Sequence, residues 1–101
     1  MENFIWEEVC TRIRILMTII RGSKVVFSGH ENAAPITFEH EFNSVLEVVD
    51  HIFVPLDEYY FIRCRLLNAE VYYNENENGA ARYELELALR RLRKLQVLYS
   101  W

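Results

Sequence analysis

A chain of 101 residues, 51% apolar and 26% charged, can build one hydrophobic core and carries too many apolar side chains for a disordered chain. Three Gly and two Pro are too few for the turns of an all-β fold, so a mainly α architecture is expected. The net charge of -4 argues against a nucleic-acid binder, and two cysteines without a CxxC spacing do not make a disulfide scaffold.

The first element covers residues 3–21. Ile5, Val9, Ile13, Leu16 and Ile20 recur at steps of four and three, and Trp6, Cys10 and Met17 widen the stripe. Gly22 is the expected stop. A competing reading pairs the alternating residues 11–15 with Val25, Val26 and Phe27 as a hairpin about a turn at 21–24. The helix is favoured because its stripe runs unbroken for four turns. Acidic Glu2, Glu7 and Glu8 do not resemble the basic start of a signal peptide. The uncharged run 15–20 is far short of the ~20 residues of a membrane span. The expectation is a soluble intracellular protein with no membrane association.

Residues 22–36 carry Gly22, Gly29 and Pro35 and read as a connection with a short extended piece at 24–27. Ile36, Phe38, His40 and Phe42 alternate, as in a short strand or in the first turns of the next helix. Ser44 is the expected N-cap, with Glu47 completing a capping box, and Val45, Val48, Val49 and Ile52 carry a helical stripe to about Phe53. Pro55 suits the first turn of a third helix, with Asp57 and Glu58 favoured there by the helix dipole. That helix runs over 56–73 with Tyr60, Cys64, Leu67 and Val71 on one line, which marks them as core and makes Cys10 and Cys64 buried thiols. A polar loop, 74–79, leads to a last helix over 80–99. There Leu85, Ala88, Leu92, Leu95 and Tyr99 repeat at three and four, and Glu86 can pair with Arg90. The alternation of Tyr83, Leu85 and Leu87 is a weaker strand signal.

The last two helices carry small and aromatic residues at Ala69, Tyr72, Ala81, Leu85 and Ala88. This spacing resembles a single tetratricopeptide-repeat hairpin, over about residues 62–95. The resemblance implies a tight antiparallel crossing of two helices. Arg65, Asn68 and Arg93 stand where that family carries an aromatic, a Leu and a Pro, and a frame shifted back by 34 residues matches only at Phe38.

No strong constellation for chemistry is present. A metal set could join His40, Glu41, Glu47, Asp50 and His51, since Glu47 and His51 would share a helix face, but no HExxH or second ExxH accompanies them. No Gly-rich phosphate loop or G-x-S-x-G occurs, so an enzyme is not expected and no metal or other cofactor is called for. Charge is segregated. Between Lys24 and Arg63 there is no Lys or Arg and the interval holds Glu31, Glu39, Glu41, Glu47, Asp50, Asp57 and Glu58, while the last helix holds Arg82, Arg90, Arg91, Arg93 and Lys94. The two regions could pair within the chain, pair between subunits, or face an outside partner. Neighbouring tyrosines at 59–60 and 72–73 lie about 100° apart on a helix, so one of each pair must turn outward.

The expected protein is therefore a single helical domain over 1–101. It is a small bundle of about four helices, with a short β-hairpin between the first two as an option. Its expected role is non-enzymatic binding of another protein, with self-association into a homo-oligomer. Tyr72, Tyr73, Tyr83, Arg90, Arg91 and Trp101 are the expected contact residues. The alternative is a small acidic inhibitor that imitates nucleic acid through Glu39, Glu41, Glu47, Asp50, Asp57 and Glu58; a metal-dependent enzyme ranks below it.

Overall fold

The computed structural model describes residues 2–22 and 35–99, with side chains from Ile5 onward. Among the described residues the chain forms four α-helices and no strand: α1 Glu2–Ile20, α2 Phe38–Val49, α3 Leu56–Asn74 and α4 Asn78–Tyr99. α1 packs on α2 and α4, and α3 packs on α4 and, less extensively, on α2. The helices thus close a ring around a shared apolar interior.

α1 follows its stripe. Trp6, Val9, Cys10, Ile13, Leu16, Met17 and Ile20 are buried. Gly22, at φ +88°, ends the helix in the left-handed region open to glycine. Helix at residues 11–15 removes the first strand of the alternative hairpin; the hairpin option at 24–27 lies outside the described residues.

α2 starts earlier than expected. Its N-cap is Thr37, whose hydroxyl accepts from the His40 N–H at 3.2 Å, with Glu39 and Glu41 in the first turn. Ser44 instead lies inside the helix and donates to the His40 carbonyl at 3.3 Å. The cause is the apolar spacing. Phe38 and Phe42 share a face in a strand and in a helix alike, but only a helix adds Val45 and Val49 to the same buried line. α2 also ends sooner, at Val49. The N–H groups of His51 and Ile52 then bond back three residues to Val48 and Val49, tightening the exit. Pro55 takes the N-cap of α3 rather than its first turn, and its carbonyl accepts the first helical bond, from Tyr59.

The largest correction concerns which side of α3 faces inward. Ile62, Leu66 and Ala69 are the buried residues, with Tyr59, Phe61 and Tyr73 packed partly against the core. The expected core line of Tyr60, Cys64, Leu67 and Val71 faces outward. Both lines have helical spacing, and what separates them is small side-chain size. Ala69 on α3, with Ala81 and Ala88 on α4, lets the two helices pack closely, and all three alanines have no exposed surface. The tyrosine pairs split as adjacent helical residues must, with Tyr59 and Tyr73 half-buried and Tyr60 and Tyr72 exposed.

The link between α3 and α4 is shorter than the polar run suggests, only residues 75–77. Asn76, at φ 62°, takes the left-handed position after the helix end. The Glu77 N–H then bonds to the Tyr72 carbonyl at 2.8 Å, and the Asn76 N–H to that of Tyr73 at 3.0 Å, a Schellman closure. Asn reaches this conformation more readily than residues with branched side chains, so Asn76→Val is expected to cost about 1–2 kcal/mol in chemical denaturation. Gly79 lies in the first turn of α4 with open space around a built Cβ. Gly79→Ala is expected to raise stability by up to about 1 kcal/mol in the same assay.

Candidate protein-contact surface

α3 carries a second apolar line on its solvent side. Leu56 is 66% exposed, Tyr60 54%, Leu67 37% and Val71 53%, and Cys64 between them is exposed too. At 100° per residue these five side chains fall within an arc of about 80°, on the side away from Ile62, Leu66 and Ala69. They form one stripe running along most of α3. Exposed Phe53, in the connection before α3, adds to the apolar surface near its N-terminal end. Single exposed apolar residues are ordinary, but an unbroken line of them makes a candidate contact surface. Arg63 and Glu70, seven residues apart, share one edge of the stripe; Asp57 and Asn68 lie along the other.

The six expected contact residues do not converge. Tyr73 turns inward and stacks on Phe38, with ring centroids 3.9 Å apart and planes within 11°. Arg91 is used within the chain: its guanidinium lies 4.7 Å from the Phe61 ring centroid and its Nε is 3.5 Å from Glu58. Tyr72 is exposed on α3. Tyr83 and Arg90 are exposed on α4 and, seven residues apart, share its outer face. Arg90 reaches Glu86 at 3.7 Å, as the spacing suggests. Trp101 lies outside the described residues.

Two buried carboxylates escaped the sequence reading. Glu84 accepts two bonds from the Arg65 guanidinium, at 3.0 and 3.2 Å, and a third from Asn68 at 2.8 Å. Glu41 accepts from Arg12 at 3.1 and 3.3 Å, and Arg12 also holds Glu8. Burial works against the Arg12 charge, but its bonds to Glu8 and Glu41 prevail and raise its pKa. The signal for both carboxylates was positional. Glu84 lies three residues after Ala81 and four before Ala88, and Glu41 three after Phe38 and four before Val45, so each sits on its helix's buried face. A buried acid on such a line needs a fixed cation beside it.

These pairs consume much of the charge segregation. Of the six carboxylates of the acidic alternative, Glu41 binds Arg12, Glu58 meets Arg91, and Asp50 lies 3.8 Å from Arg63. Asp50 also accepts from the Tyr59 hydroxyl, which raises the Tyr59 pKa above that of an ordinary phenol. Glu47 and His51 do not share a helix face, since α2 ends between them. Among the described residues no three His, Cys, Asp or Glu side chains converge as a metal site. Burial, reinforced by Glu7 and opposed by Arg93, lifts the Cys10 thiol above its usual pKa and away from thiolate chemistry. No described helix is long and apolar enough to cross a membrane.

Comparison with known proteins finds no matching family model, curated protein or solved structure.

Arg65→Met should lower stability by about 2–3 kcal/mol, because it strands Glu84; Arg65 is itself partly exposed, which reduces the loss. Adding Glu84→Leu should recover most of that loss in a double-mutant denaturation cycle. In thermal melts, Arg91→Glu should cost about 1 kcal/mol or more by losing the Phe61 contact and facing Glu58, while Arg90→Glu stays within about 0.5 kcal/mol of the parent.

Proposed function

We propose that this chain is a non-enzymatic protein–protein interaction module that self-associates through the outer stripe of α3. One observation carries the reading: α3 is apolar on two opposite sides, and its own fold covers only one of them. A helix with apolar residues all round belongs in an interior, and association supplies the missing cover. The buried acids support contact over catalysis, because Glu41 and Glu84 are each held by an arginine from another helix. This reading needs neither a cofactor nor nucleic acid. Tyr83 and Arg90 on α4 form a separate, more polar patch and take the secondary place. The acidic-inhibitor alternative has less support, since half of its carboxylates already face arginines of the same chain.

The test is mass in solution. At about 100 μM, where a micromolar contact is populated, light scattering should give the parent a mass above the 12.1 kDa of one chain. Leu67→Asp should return the 12.1 kDa mass with an unchanged helical circular-dichroism spectrum, because Leu67 contributes to the outer stripe and not to the buried core. A Leu67→Asp variant that keeps the parent's mass would reject this surface.

A further inference from the structure

Resting on that reading, we infer that the occupant of the α3 stripe is a second copy of this chain, laid antiparallel about a two-fold axis near the middle of α3. In that arrangement Arg63 of each copy faces Glu70 of the other.

Spacing is the first ground. Tyr60, Cys64, Leu67 and Val71 follow steps of four, three and four, which average the 3.5-residue repeat of a two-helix seam. One step further in each direction the same register reaches Asp57 and Asn74, both exposed and polar, which bound the four layers with exposed Leu56 at their rim. The four seam residues then form self-complementary layers, with Tyr60 against Val71 of the other copy and Cys64 against Leu67 of the other copy. Self-complementarity of this kind is what a two-fold interface requires.

Charge fixes the direction. Arg63 and Glu70 lie on the same edge of the seam, since seven residues bring a helix nearly back to the same angle. In an antiparallel pair, like edges meet. Arg63 of one copy then lies beside Glu70 of the other, and the two-fold axis makes this contact twice. In a parallel pair, opposite edges meet instead. Glu70 would then face Glu75 of the other copy, and Arg63 would face only Asn68. Two carboxylate clashes oppose the parallel arrangement, and two ion pairs favour the antiparallel one. Both residues are available. Glu70 forms no ion pair among the described residues, and Arg63 has only a loose 3.8 Å contact with exposed Asp50 and a marginal 3.5 Å bond to the Tyr59 hydroxyl.

The test uses the full chain with Cys64→Ala, so that the only added thiols report. One variant carries Asp57→Cys and a second carries Asn74→Cys; they are mixed, equilibrated and treated with a short bis-maleimide. The expected result is cross-linking between the two variants in the mixture and little within either alone. Self-cross-linking of each variant alone marks a parallel pair and overturns the inference, while the contact reading stands. In a second arm, Arg63→Glu should weaken dimerisation about tenfold or more, and Arg63→Glu with Glu70→Arg should restore it, with the charges exchanged. A dimer indifferent to both changes overturns the proposed register. A 12.1 kDa mass for the parent at every concentration overturns this inference together with the self-association it rests on.

Discussion

Ala69 on α3 and Ala81 and Ala88 on α4 retain no exposed surface, and the packing of α3 on α4 is the most extensive between any two helices described. With nothing beyond Cβ at these points, the helices pack closely enough for Leu66, Leu85 and Leu92 to fill the space around them. That approach fixes the rotation of α3. Once the alanine side faces α4, Ile62 and Leu66 go to the interior, and Arg65 and Asn68 come within reach of Glu84. The same rotation turns Tyr60, Cys64, Leu67 and Val71 to solvent. The outer apolar stripe follows from the packing of the hairpin, with no separate element built for it.

The polar contacts around this hairpin discriminate between arrangements more than they add to stability. A carboxylate at position 84 costs a great deal in an apolar interior unless a cation meets it, and only one rotation of α3 brings Arg65 there. Glu41 and Arg12 impose the same condition on α1 and α2. Arg65 and Arg91 both approach the Phe61 ring, at 5.3 and 4.7 Å, and tie the edge of α3 to α4. Each contact is modest. Together they penalise a rotated α3 that would bury the outer stripe in place of the inner one.

The four helices were largely legible because α1 and α4 have one dominant stripe each, and because Gly22 and the residues about Pro55 mark ends with clear backbone reasons. The start of α2 was harder, since Phe38 and Phe42 are four apart and fit a strand and a helix equally. Ser44 offered a good cap in the wrong place, and Thr37 was overlooked because helix before Phe42 was only one of two options. On α3, spacing alone could not choose between two apolar lines; Ala69 was noticed, but its crossing was not used to set the rotation. The outer stripe was therefore half read. Tyr60, Cys64, Leu67 and Val71 were recognised as one line and assigned to the interior, while Tyr73 and Arg91, expected at a contact surface, pack against Phe38 and Phe61 of the same chain. Burial of Glu41 and Glu84 was open to inference from their positions among the apolar residues of their own helices.

The packing of α1 on α4 has a consequence for how the chain assembles. Glu7 and Gln96 are 89 residues apart, yet the Gln96 amide donates to the Glu7 carboxylate at 3.2 Å. α3 and α4 are joined by a three-residue turn and can zip together locally, whereas the seam between the first and last helices must gather distant parts of the chain and bear the entropy of a large loop. The contact that costs the chain most entropy to close is thus the seam of α1 against α4, on helices other than the one that carries the outer stripe.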